Sequence, residues 1–154
     1  MKYIRNIILS IFLIGSVHGE QAKNPLIGEW ELKKLEGSKA DMPADIKIYW
    51  SFAESQIVVM VTSADAVREE AVRFSYALDM SKTPYWITAD ISDSLDDSKK
   101  DKRLGIFRIV GDELQIKWEV KDGGKRPTKF TNGLVAKYKR TKKTPAELGA
   151  SLDS

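Results

Sequence analysis

The chain has no cysteine and only one histidine, His18, among its 154 residues. Without thiols it can form neither a disulfide nor a thiolate site for zinc or catalysis. One imidazole beside the amino terminus is a poor basis for a Ser-His-Asp triad. The sequence also lacks a Gly-x-Ser-x-Gly elbow, a Ser-x-x-Lys motif and a Gly-rich phosphate loop. We therefore predict that the protein is not an enzyme and that it holds no cofactor and no metal.

The longest apolar run lies at the amino terminus and is too short to cross a membrane. Lys2 and Arg5 precede apolar residues 7–14, and Val17 and Gly19 suit the −3 and −1 positions of a signal-peptidase site. A membrane helix needs about 20 apolar residues. We predict an export signal over 1–19, cleaved after Gly19, with an uncleaved anchor as the alternative. The protein would then be exported, periplasmic or secreted, with no transmembrane segment after cleavage.

Cleavage would leave the working protein almost neutral. The formal net charge of the whole chain is +3, and the segment 1–19 carries two cations, no acid and the sole histidine. The charge would fall to +1 on removal of that segment. Nucleic-acid binding requires a concentrated positive face, so we predict no nucleic-acid partner.

Eight segments alternate apolar and polar residues with a period of two, which indicates strands with one buried face. They cover 28–33, 46–52, 56–61, 71–79, 85–91, 104–110, 113–120 and 133–140. Because most connections are short, this order predicts an all-β, eight-stranded, up-and-down antiparallel barrel. A sandwich of seven or eight strands is the alternative.

The remaining segments define the predicted domain limits. A short linker covers 20–25, the barrel domain 26–140, and a flexible polar tail 141–154. The connection 33–45 is the longest early one and has room for a turn of helix. Leu114, Ile116, Trp118 and Val120 are expected to share one face of the seventh strand, and Leu134, Ala136 and Tyr138 one face of the eighth.

Two features of the strands resemble the lipocalin superfamily. Gly28-Glu29-Trp30 on the first strand has the form Gly-x-Trp, and Arg140 ends the last strand. The resemblance implies a lipocalin-like barrel in which Trp30 packs at the closed end and Arg140 lies across its ring. An arginine over an indole adds a cation–π contact and covers apolar surface.

Further motifs are similar to those of a group of small exported bacterial proteins, described as lipocalin-like and without an assigned activity. The matching stretches are Met42-Pro43-Ala44, Gly105-Ile106-Phe107, Gly111-Asp112-Glu113-Leu114 and Arg126-Pro127-Thr128-Lys129-Phe130. Their order and spacing agree over 26–140. Many of those proteins have a cysteine in the strand after Gly-Asp-x-Leu, which this chain lacks.

Bulky aromatic residues fall on the strand faces predicted to point inward. They are Trp30, Trp50, Phe52, Phe74, Tyr76, Phe107, Trp118 and Tyr138. An eight-stranded barrel is just wide enough either to be filled by its side chains or to hold one small ligand. We predict that these residues line a site for a small hydrophobic or amphipathic molecule. The alternative is a structural or interaction domain of the cell envelope with a filled core.

Charged clusters offer weaker functional candidates. Arg126, Lys129 and Phe130 are expected at the barrel mouth, where the two cations could grip an acidic group of a ligand. The basic residues near the last strand could make weak contact with an anionic envelope surface, or form a wet face that discourages edge pairing. They are Lys125, Arg126, Lys137, Lys139, Arg140, Lys142 and Lys143.

An Asp-rich loop separates the fifth and sixth strands. Its acids are Asp90, Asp93, Asp96, Asp97 and Asp101. A calcium loop of the EF-hand type needs a central glycine and acids at alternate early positions. Neither is present, so we interpret the loop as a solvated connection and not as a cation site.

Overall fold

The computed structural model describes residues 23–65, 67–92, 100–120 and 124–141. The predicted export signal, residues 93–99 of the Asp-rich loop and the tail from residue 142 lie outside these ranges. Within them the protein is all β. Its eight strands are β1 Gly28–Glu36, β2 Lys47–Phe52, β3 Gln56–Thr62, β4 Arg68–Asp79, β5 Tyr85–Ser92, β6 Lys100–Val110, β7 Glu113–Trp118 and β8 Val135–Arg140.

The strands form one closed antiparallel barrel in which each pairs with its neighbours in the sequence. Closure is made by β1 and β8, with Trp30 opposite Arg140 and Leu32 opposite Tyr138. The predicted up-and-down barrel is therefore confirmed, and the sandwich alternative is excluded. A closed barrel leaves no strand edge open to pairing with another chain.

Two predicted strands extend two residues beyond those observed. β7 ends at Trp118, and Val120 beyond it is 86% exposed. β8 begins only at Val135, and Leu134 is 55% exposed. Both residues continue the apolar alternation of the sequence, but the chain has left the barrel wall there, so they do not share the inward face as expected.

The connection between β1 and β2 contains turns and no helix. Its residue Met42 packs against the core of the barrel, as does Leu35 at the end of β1. The Met42-Pro43-Ala44 stretch therefore brings an apolar side chain back over the barrel, at the end where β1 finishes and β2 begins. We call this end the open end, and the opposite one, where β1 begins, the closed end.

The core consists of inward side chains from all eight strands. On β6 and β7 the paired residues Phe107 and Ile116 are both fully buried inside the barrel. The next pair, Ile106 and Lys117, faces outward because successive strand residues alternate between the two faces. Both are nevertheless buried, so a further part of the chain covers this outer surface.

Candidate functional site

The closed end is held by the predicted pair of Trp30 and Arg140. The guanidinium carbon of Arg140 lies 4.0 Å from the centre of the Trp30 ring. Trp30 Nε1 donates to the carbonyl of Leu26 at 2.8 Å. Arg140 Nη1 and Nη2 donate to the carbonyls of Ile27 and Pro25 at 2.9 and 3.0 Å. The carbonyls of three successive residues thus accept hydrogen bonds from these two side chains. These bonds hold the segment that precedes β1 across the closed end of the barrel.

The Gly-x-Trp motif has a steric reason at its first position. Gly28 has a φ of +124°, a conformation that only glycine adopts without strain. A Cβ atom there would also lie 3.0 Å from Nη1 of Arg140. Gly28 therefore lets the chain turn into β1 and leaves room for the arginine over Trp30.

Six of the eight predicted interior aromatics are buried, and the other two are partly exposed. The buried ones are Trp30, Phe52, Phe74, Tyr76, Phe107 and Tyr138. Trp50 and Trp118 are partly buried and pack against the core. The Trp50 ring centre lies 5.4 to 6.4 Å from those of Phe52, Phe74, Trp118 and Tyr138. This aromatic cluster fills the middle of the barrel.

Above this cluster, toward the open end, lies a cavity of about 410 Å³. Its aromatic walls are Trp50, Phe74 and Trp118. Its aliphatic walls are Val59, Val72, Ala89 and Ile91. Val72 is 42% exposed although it points toward the interior. The barrel is thus filled toward the closed end, and an apolar space remains toward the open end.

Arg103 also lines the cavity, although no sequence motif marks it. On β6 it alternates with Gly105 and Phe107, and it pairs with Ala89 of β5. Among the described lining residues it is the only one with a charge. The predicted sixth strand starts at 104, so its alternation does not reach Arg103.

We expected Arg126 at the barrel mouth, but it lies on the outer surface of the barrel. Its guanidinium donates to the carbonyls of Ile87, at 2.7 Å, and Gly105, and to the Thr88 hydroxyl at 2.8 Å. It also lies 4.5 Å from the ring centre of Trp86. Trp86 and Thr88 alternate with the buried Ile87 and so face outward. Partial burial lowers the pKa of the Arg126 guanidinium.

Phe130 follows Arg126 along the same outer surface. Arg108, which faces outward, lies 4.4 Å above its ring centre. The Lys117 ammonium donates to carbonyls within 131–132. Lys129 is exposed. The Arg-Pro-x-x-Phe segment therefore covers the outside of β5 to β7, which explains why the outward residues there are buried.

A buried carboxylate on the outer surface was not predicted. Glu29 accepts hydrogen bonds from Arg68, from the Ser51 hydroxyl at 3.4 Å and from the Thr141 hydroxyl at 3.2 Å. Arg68 also lies 4.5 Å over the ring of Tyr49. These contacts join β1, β2, β4 and the end of β8. Because these partners lie far apart in the sequence, no local sequence pattern predicts their contacts with Glu29.

One lysine of the basic strand β8 is paired with an acidic side chain. Lys137 forms an ion pair with Glu36, and their hydrogen bond raises the pKa of Lys137 and lowers that of Glu36. Lys139 and Lys125 are exposed. An anionic envelope surface as a partner remains a prediction.

Among the described residues, two acidic side chains each have one buried oxygen without a hydrogen bond. They are Asp90, through Oδ1, and Glu119, through Oε2. The other oxygen of Glu119 accepts from the Leu104 amide at 3.0 Å. Among the residues that the structure describes, no three potential metal ligands come together. The same part of the chain contains no helix long and apolar enough to cross a membrane.

Comparison with known proteins finds no match: no family model, curated protein or solved structure is significantly similar to this chain.

Proposed function

We propose that this protein is an exported, lipocalin-like binding protein that holds a small hydrophobic or amphipathic molecule in the cavity at the open end and does not catalyse a reaction. The observation that supports this most is the cavity itself. Its volume of about 410 Å³ lies within the range of roughly 300–1,000 Å³ that is usual for small-molecule sites.

The side chains around the cavity also favour an apolar ligand. Trp50 and Trp118 are large, partly exposed residues inside the barrel, and Val72 faces the same space. Covering apolar surface is worth about 25 cal/mol per Å², so a molecule seated against two indoles gains affinity from this wall.

The alternative, an interaction domain with a filled core, accounts for only part of the barrel. Toward the closed end the barrel interior is occupied by the buried side chains of Trp30, Phe52 and Phe107. Toward the open end the interior is not filled. Binding inside the barrel accounts for both ends of the interior: the open end holds the ligand, and the filled closed end forms the floor of the site.

Binding can be tested with a neutral lipophilic dye such as N-phenyl-1-naphthylamine. We expect saturable dye fluorescence at one site per chain, with quenching of tryptophan emission. Val72→Trp should weaken dye binding at least ten-fold, because it fills the cavity from a partly exposed position. Ala77→Trp is the matched control, since Ala77 is an exposed residue on the same strand, outside the cavity. Absence of dye binding, or equal weakening by both variants, would overturn the proposal.

A further inference from the structure

Arg103 puts a positive charge on the wall of an otherwise apolar cavity. Along β6 the inward positions run from Arg103 through Gly105 to Phe107, and Phe107 belongs to the filled core. Arg103 is therefore nearer to the open end than the residues that form the floor. A ligand with its chain on the floor would have its other end beside this guanidinium.

A guanidinium at this position is suited to an anionic group. It carries five N–H donors and stays protonated at any physiological pH. It can thus keep a partner within the protein and still donate to the oxygens of a ligand. Its planar fork matches the two oxygens of a carboxylate. A neutral hydroxyl can accept a hydrogen bond from this group but gains no attraction between opposite charges, and a cation is repelled.

The cavity volume limits the length of the apolar part. A water molecule occupies about 30 Å³ of the liquid, so a cavity of about 410 Å³ has the volume of roughly 14 waters. A ligand with about that number of non-hydrogen atoms would fill it. Trp50, Phe74 and Trp118 offer flat aromatic walls to a single chain of this size.

We infer that the ligand is a single-chain amphiphile with an anionic head, a medium-length carboxylate, whose head lies at Arg103 and whose chain lies against Trp50 and Trp118. This inference rests on the proposed function, because it names the class of molecule that the open-end cavity takes. It further implies that the chain enters first and the head remains at the open end.

Titration calorimetry and dye displacement with three probes test the inference, each probe kept below its micelle concentration. The probes are dodecanoate, dodecanol and dodecyltrimethylammonium, which share one chain and differ in head charge. We expect dodecanoate to bind at least ten-fold more tightly than the other two, which is the size expected for one charge-assisted hydrogen-bonded contact. Octadecanoate should bind no more tightly than dodecanoate, because its extra carbons would stay outside the cavity.

Arg103→Gln should remove this preference. We expect it to weaken dodecanoate binding about ten-fold and to change dodecanol binding less than two-fold. Lys102→Gln is the matched control, because it removes the same charge from the next residue of β6, which is exposed. Equal weakening by both variants, or equal binding of dodecanoate and dodecanol by the unaltered protein, would overturn the inference. Dye binding without a preference among head groups would leave the proposed function standing, whereas no binding of dye or amphiphile would defeat both.

Discussion

Arg140 offers the sharpest test of how the barrel is closed. It lies 4.0 Å over the ring of Trp30 and donates to the carbonyls of Pro25 and Ile27. Arg140→Ala removes all three contacts at once. The entering segment would then be held by the Trp30 indole alone, through the carbonyl of Leu26. We expect a clear loss of stability from a residue that is itself exposed.

The expected loss follows from these contacts. Each hydrogen bond contributes about 0.5–1.5 kcal/mol, and an exposed cation–π contact about 0.5–1 kcal/mol. Since water screens part of each interaction, we expect Arg140→Ala to lower the free energy of unfolding by about 2 kcal/mol. For a domain of this size, that corresponds to a drop in Tm of roughly 6–10 °C.

Urea unfolding followed by circular dichroism and tryptophan emission measures this loss. Arg140→Lys should recover less than half of it, because a lysine keeps the charge but cannot reach two carbonyls with a planar fork. Lys139→Ala is the matched control: it removes a neighbouring exposed charge from β8 and should cost less than about 0.5 kcal/mol. A loss for Arg140→Ala no larger than that of the control would refute the proposed closure.

Two further predictions concern pH and export. Burial raises the pKa of Tyr138. Above pH 10 the unfolded state therefore releases a proton that the folded state keeps. The free energy of unfolding should then fall by about 1.4 kcal/mol per pH unit because of this group. Tyr138→Phe should reduce that slope in urea titrations; an unchanged slope would contradict the burial. When the full chain is produced in a bacterial host, mass spectrometry should show a protein that begins at Glu20. Gly19→Tyr should block this cleavage. Retention of segment 1–19 in the unaltered protein would refute the predicted signal.

The alternating pattern made the barrel predictable because each strand buries only one face. Trp30, Phe52 and Phe107 all fall on inward positions of their strands, as the period of two requires. The same pattern gave a wrong prediction at Val120 and Leu134, because the apolar alternation of the sequence extends past the ends of strands β7 and β8. Alternation reports which face is apolar, but it does not report where a strand stops pairing.

The site was predicted less completely, since its key residues depend on contacts between distant parts of the chain. Arg126 and Phe130 stood out as a motif, but only the fold shows that they cover the outside of β5 to β7. Arg103 did not stand out, because a single arginine that follows a charged stretch of sequence has no local signature. Its place on the cavity wall follows from its pairing with Ala89 on the neighbouring strand.

Strand number, strand order and the inward aromatic residues could be derived from the amino-acid sequence, because they depend on local alternation and short connections. Tertiary structure was needed to show how far the barrel is filled. The sizes of inward residues do not reveal whether their rings meet, and here Trp50 meets four other rings while the space beside Val72 and Ile91 stays open. That division into a packed floor and an apolar cavity depends on how side chains from different strands meet in three dimensions.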